Sequence, residues 1–172
     1  MRVVILVALI AGGVLAGGCT TSRPVTDYGQ CEGSWAQQYL GGDKTVCRAG
    51  CLMTSVASAM TSCGKTINGK KADPGVLNDW LKKNGGYSGN MFVWGAMSKF
   101  GLSFLGWPES STEIKNHICN NRIVVLNVNG GGHWVLCTGY NDNTYNVMDP
   151  GYPRKTYSTS EVTCAGVFRI NP

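Results

Sequence analysis

The spacing of hydrophobic residues changes along the chain from a helical period to the short β-branched runs that are typical of strands. Residues 51–63 contain no Gly or Pro, and their apolar side chains recur near a helical period, which predicts a buried helix. Asp73 followed by Pro74 is a typical helix start, and Gly85-Gly86 ends the next apolar stripe. The predicted helices cover residues 51–63, 74–84, 92–100 and 112–121.

Beyond Arg122 the pattern predicts strands. Runs rich in Val, Ile and aromatic residues alternate with Gly- and Asn-rich turns. The predicted strands cover residues 123–128, 133–140, 144–150 and 166–170. Helices followed by an antiparallel sheet predict an α+β fold, and 172 residues suggest one domain.

The N-terminus has the features of an export signal. Arg2 precedes an apolar run over residues 3–16, and Gly17-Gly18 then supply small residues before Cys19. We predict a signal peptide over residues 1–18, a polar tether over 19–27 and the folded domain over 28–172. Residues 15–19 also resemble a lipoprotein cleavage motif with one additional glycine, which predicts a lipid on Cys19. The protein would then be a membrane-anchored lipoprotein, and plain secretion is the alternative.

Charge adds little to this picture. The formal net charge is +5, but the basic residues are scattered along the chain. Scattered charges indicate a solvated surface, and no basic stripe with interleaved aromatic residues points to nucleic acid. We expect a monomer.

Eight cysteines in an exported chain predict disulfide bonds. If Cys19 carries lipid and Cys51 is a free thiol, six cysteines remain for up to three bridges, and their pairing is open. Their spacing does not match a zinc site, so we expect no metal and no other cofactor.

Three residues form a candidate catalytic set. Cys51 follows Gly50 at the start of a predicted helix, where unpaired amides favour the nucleophilic thiolate. His133 follows three glycines and opens a strand, and Asp149 lies on the next strand. The order suggests nucleophile, base and orienting acid. Each residue also has a structural interpretation: Cys51 as half of a disulfide, His133 as a buried histidine and Asp149 as a turn former.

The turn between the two strands decides whether the histidine can meet the aspartate. A three-residue turn at 141–143 would make His133 face Gly151, with Asp149 as a diagonal neighbour on the same face. A two-residue turn would place the pair on opposite faces. His117 lies in an amphipathic helix and is interpreted as structural.

The motifs around these residues resemble those of a known family. Gly50-Cys51, Thr54-Ser55 and Ala59-Met60 resemble the nucleophile block of papain-like peptidases related to bacteriocin-processing (double-glycine leader) peptidases, the "peptidase C39-like" group. Segments 132–135, 138–140 and 149–152 resemble that group's GH-[WF]-V, TGY and DPGY motifs, and residues 77–81 and 85–87 resemble its LN-x-WL and GGY motifs.

The resemblance implies a papain-like fold, with the nucleophile helix packed on an antiparallel sheet, and a Cys51-His133-Asp149 triad. It also implies a glutamine that completes the oxyanion hole, for which Gln30 matches best and Gln37 and Gln38 are rivals. We predict an exported cysteine peptidase that cleaves an amide bond in a peptide or protein. The alternatives are a peptidoglycan amidase or endopeptidase and a non-catalytic binding module with Cys51 in a disulfide.

Overall fold

The computed structural model describes residues 17–171. The predicted signal peptide therefore lies outside the described residues, except for Gly17 and Gly18. Within residues 17–171, no helix is long and apolar enough to cross a membrane.

Helices dominate the first part of the chain and strands the second, which confirms the predicted α+β class. The α-helices are α1 Val46–Ala49, α2 Cys51–Ser62, α3 Pro74–Lys83 and α4 Ser111–Cys119. Short 3-10 helices lie at Trp94–Phe100, Asn129–Gly131 and Thr159–Glu161. The strands are β1 Cys19–Thr20, β2 Thr66–Ile67, β3 Lys70–Lys71, β4 Tyr87–Ser88, β5 Met91–Phe92, β6 Leu102–Gly106, β7 Ile123–Val128, β8 His133–Asn141, β9 Thr144–Met148, β10 Thr156–Ser158 and β11 Cys164–Ile170.

One antiparallel sheet organises the domain. Its strand order is β10-β9-β8-β7-β11-β6, and β1 pairs with the far end of β8. Two separate hairpins, β2–β3 and β4–β5, lie outside it. Apolar clusters cover both faces of the sheet, one including residues of α2 and α3 and the other residues of α4. Strand β7 is buried at every position, which explains why its sequence is apolar almost throughout rather than alternating.

A helix lies at each of the four predicted places. Helix α2 is buried from Met53 to Met60, and each fully buried large apolar side chain contributes about 1.5–3 kcal/mol. Helix α3 starts as predicted, with the Asp73 carboxylate accepting a hydrogen bond from the Val76 amide at 2.9 Å. The short helix predicted over residues 92–100 is a 3-10 helix over Trp94–Phe100 that ends at Gly101, and Phe92 belongs to β5.

The turn between β8 and β9 has two residues, not the predicted three. Asn141 pairs with Thr144, and Asp142 adopts a positive φ of 51° in the turn. Such a turn alone would separate His133 and Asp149 onto opposite faces. A β-bulge between Cys137 and Gly139 shifts the register by one residue, so that Cys137 pairs with Val147. The bulge therefore places His133 and Asp149 on the same face of the sheet, as the predicted three-residue turn would have done.

The segment predicted as a tether instead lies along the domain. Strand β1 pairs with β8, and the Arg23 guanidinium donates to the carbonyls of Asn121 and Arg122 at 2.5 and 3.1 Å. Farther along, the Thr26 amide donates to the Ser62 hydroxyl at 3.2 Å. These contacts make residues 19–26 part of the fold.

Two disulfides are present, Cys19–Cys119 and Cys31–Cys47. Because a thioether-linked lipid would occupy the same sulfur, the Cys19–Cys119 bond contradicts the predicted lipidation of Cys19. The remaining four cysteines are free, so the third bridge that the count allowed does not form. Both bonds fit an exported protein in an oxidising compartment.

Mass spectrometry of the non-reduced protein tests this arrangement. We expect cross-linked peptides for Cys19–Cys119 and Cys31–Cys47, and rapid alkylation of Cys51. Cys137 should react only after unfolding, because it is 3% exposed and burial raises the pKa of its thiol to about 12. Cys51 in a disulfide, or a lipid mass on Cys19, would contradict the structure.

Candidate active site

Cys51 is the first residue of α2, directly after the glycine that caps α1. The backbone passes from α1 to α2 through Gly50, where a side-chain carbon would come within 2.5 Å of the Val46 carbonyl oxygen. Only glycine fits without moving α1. The first amides of α2 lack helical acceptors, and the N-terminal end of a helix favours negative charge.

His133 opens β8 and is 6% exposed. Its Nε2 lies 2.6 Å from Asp149 Oδ1, and the ring lines the same cavity as Cys51. Burial lowers the pKa of His133, but the hydrogen bonds to Asp149 and Cys51 and the charges of those groups outweigh burial and raise this pKa to about 9. The imidazole is therefore charged at neutral pH.

Asp149 lies just beyond β9 and is saturated with donors. Besides His133, its Oδ1 accepts from the amides of Gly151 and Tyr152 at 2.9 and 3.0 Å, and its Oδ2 accepts from the Tyr157 hydroxyl at 2.7 Å. Burial raises the pKa of Asp149, but these hydrogen bonds outweigh it and lower that pKa below its usual value. The carboxylate thus stays charged and fixes the ring of His133.

Tyr157 has a part in this site that sequence reasoning missed. Burial and the bond to the Asp149 carboxylate raise the pKa of Tyr157 to about 12, so its hydroxyl remains a donor. Tyr157 lies on the short strand β10, which the sequence pattern did not predict. A buried aromatic residue eight positions after the aspartate gives no signal of this contact in the sequence.

Gln30 lies in the same cleft, whereas its two rivals do not. Gln30 is 8% exposed, and its side-chain amide donates to the Cys47 carbonyl at 2.6 Å, while its backbone amide donates to the Pro150 carbonyl at 2.7 Å. Its Oε1 has no partner among the described residues. Gln38 instead accepts from Asn78, and Gln37 is exposed.

The Cys31–Cys47 disulfide links the segment that carries Gln30 to the helix that precedes the nucleophile. Cys31 follows Gln30 directly, and Cys47 lies in α1, immediately before α2. Across the cleft, Gly151 separates Gln30 from His133: a side-chain carbon there would come within 2.9 Å of His133 Cε1 and 3.3 Å of Gln30 Oε1. Glycine at this position keeps the cleft open beside the histidine.

Two cavities meet at Cys51. The first is an apolar groove that contains no residue of the triad other than Cys51. Its aromatic and thioether side chains are Met53, Tyr87, Met91, Phe92, Trp94, Trp107 and Trp134. The second cavity is polar and is lined by Gln30, Cys51, His133 and Tyr152, together with Lys44 and Arg48.

The remaining predictions about this region can be placed as well. His117 lies on α4 and pairs with Glu113 at 3.7 Å, away from the cleft. Within residues 17–171, no cluster of three or more His, Cys, Asp or Glu side chains could hold a metal ion. Cys51 is a free thiol rather than the disulfide half that the binding-module alternative required.

Comparison with known proteins identifies the class. The model of the peptidase C39-like family matches residues 32–169. The chain therefore belongs to the peptidase C39-like family. The fold is shared with a crystal structure of a candidate C39-like peptidase from Bacillus anthracis, at 14% identity and a TM-score of 0.56, covering 88% of this chain and 97% of that one. No curated protein matches the sequence.

The unusual basicity of His133 can be measured by NMR, because the chain has only two histidines and a His117→Gln variant assigns the signals. We expect the His133 ring to titrate near pH 9. In Asp149→Asn the titration should move to lower pH, because the asparagine keeps a hydrogen-bonding oxygen but loses the charge. Titration near the ordinary value of 6.5 in the unaltered protein, or no change in the variant, would contradict the pairing.

Proposed function

We propose that this protein is a cysteine peptidase that cleaves an amide bond in a peptide or protein through Cys51, His133 and Asp149. The observation that carries the proposal is the imidazole of His133, which is hydrogen-bonded to Asp149 and lines the same cavity as the free thiol of Cys51. Membership of the peptidase C39-like family supports the same reaction class.

The reaction follows from the geometry. The Cys51 sulfur attacks the carbonyl carbon, and the carbonyl oxygen becomes negatively charged. We infer that this oxygen accepts hydrogen bonds from the Cys51 backbone amide and from the second N–H of the Gln30 side chain, whose first N–H is donated to the Cys47 carbonyl. The C–N bond then breaks while His133 gives its proton to the leaving nitrogen. Water, deprotonated by His133, attacks the thioester, and the acid product leaves with the thiol restored.

The apolar groove supports a peptide rather than a small polar substrate. Trp107 is 50% exposed and Met91 is 75% exposed, so large apolar surfaces face solvent beside the nucleophile. Exposed apolar surface of this kind marks a place where an apolar group of a ligand binds. An apolar side chain of the substrate, held there, would fix the scissile bond against Cys51.

We also propose that the peptidase acts outside the cytoplasm. The predicted signal over residues 1–18 supports export, and so do two disulfides, one of which holds Gln30 beside the nucleophile helix. In a reducing compartment that link would open, and the Gln30 segment would lose its covalent attachment to α1.

Replacing the nucleophile tests the reaction. Cys51→Ser should abolish cleavage of a pool of synthetic peptides, read by mass spectrometry, because the hydroxyl lacks the nucleophilicity of a thiolate. Cys63→Ser is the matched control, since Cys63 is also a free, partly exposed cysteine and lies at the other end of the same helix. Cleavage that survives Cys51→Ser, or that Cys63→Ser removes equally, would contradict the proposal.

Replacing the glutamine tests oxyanion stabilisation. Gln30→Ala should lower kcat by about 10²–10³-fold with a smaller effect on KM, the loss expected for one oxyanion donor. The control is Gln37→Ala, which removes the same side chain from an exposed position nearby. Steady-state kinetics on a cleaved peptide provide the measurement. An unchanged kcat in Gln30→Ala would show that another group stabilises the oxyanion.

A further inference from the structure

The two cavities beside Cys51 differ in charge and in their relation to the base. The polar cavity has a volume of about 470 Å³ and includes the His133 ring in its lining, whereas the apolar groove does not. Since His133 must give its proton to the leaving nitrogen, the part of the substrate that leaves as the amine lies in the polar cavity. The acyl part of the substrate then lies along the apolar groove.

Two cations dominate the polar cavity. Lys44 and Arg48 lie on either side of the start of α1, and both are exposed. Neither side chain has a hydrogen bond or ion pair to another residue in the described part of the chain, so both charges are available to a ligand. The charged imidazole of His133 adds to the positive potential.

Acidic side chains nearby do not neutralise these cations. Asp43 is close enough for its charge to interact with both, but it accepts a hydrogen bond from Asn90 and does not line the cavity. Glu32 lies in an adjoining cavity together with Asp27, which pairs with Lys155. The Asp149 carboxylate is buried behind His133 and saturated with donors.

We propose that the leaving part of the substrate carries a carboxylate, which binds between Arg48 and Lys44. This inference deepens the proposed peptidase function and rests on it for the direction of the substrate. A guanidinium binds a carboxylate through paired hydrogen bonds, and a lysine adds a second charge. The carboxylate is either an acidic side chain after the scissile bond or the free carboxyl terminus of the substrate.

Binding to an inactive protein tests the inference without cleavage. Three fluorescent peptides share an apolar segment and differ only at their end: one has Glu and an amidated terminus, one has Gln and a free carboxyl terminus, and one has Gln and an amidated terminus. We measure their anisotropy with oxidised Cys51→Ala protein. At least one acidic peptide should bind about fivefold more tightly than the neutral peptide, an advantage that added salt should reduce. The peptide that shows the advantage identifies the source of the carboxylate.

Charge variants provide the decisive comparison. In Cys51→Ala protein that also carries Lys44→Gln and Arg48→Gln, the preference for the acidic peptide should disappear. The matched control carries Lys70→Gln and Lys99→Gln, which remove the same charge from exposed positions outside the cleft and should leave the preference intact. Equal binding of all three peptides, no binding of the acidic ones, or equal loss in the control would overturn the inference.

Cleavage by the unaltered protein separates this inference from the proposed function. If no peptide is cleaved but the preference for acid follows Lys44 and Arg48, the carboxylate site stands and the peptidase proposal fails. If peptides are cleaved by Cys51 without a preference that depends on the two cations, the peptidase proposal stands and the carboxylate site fails.

Discussion

The buried hydrogen bond between His133 and Asp149 is the interaction on which the rest of the site depends. A carboxylate at 5% exposure would be costly to bury without partners, and this one accepts from the imidazole, two backbone amides and the Tyr157 hydroxyl. The loop after β9 and strand β10 supply three of these donors. Their arrangement keeps the acid charged and holds the imidazole in the cavity that it shares with Cys51.

Bringing the two residues together required a local departure from regular sheet structure. Without the bulge between Cys137 and Gly139, the two-residue turn would have aimed His133 and Asp149 at opposite faces. The same region of β8 pairs with β1, and a side-chain carbon at Gly139 would come within 2.7 Å of the Cys19 carbonyl oxygen. The bulge, the glycine and the docked N-terminal strand therefore form one structural unit beside the active-site strand.

The covalent links serve different parts of the molecule. Cys19–Cys119 attaches the start of the described chain to α4, where Arg23 adds hydrogen bonds to the helix end. Cys31–Cys47 lies at the site itself and joins the Gln30 segment to the helix before the nucleophile. A small domain that needs a glutamine from a long irregular segment gains from such a link, because the bond limits the conformations available to that segment.

The sequence by itself determined the fold class, the nucleophile helix and the residues of the candidate triad, because helix caps, apolar periodicity and motif spacing are local properties. Helix α2 begins at Cys51 and helix α3 is capped by Asp73, as those patterns predict. The sequence could not determine the disulfide pairing, in which Cys19 is bonded to Cys119. Spacing alone also could not choose Gln30 over Gln37 and Gln38, which lie closer to Cys51 in the sequence. The sequence also gave no sign of the contact between Tyr157 and Asp149. It correctly placed His133 and Asp149 on one face of the sheet, but through a three-residue turn that the structure does not have. All of these depend on contacts between residues far apart in the chain, and only the packing of the whole domain decides such contacts.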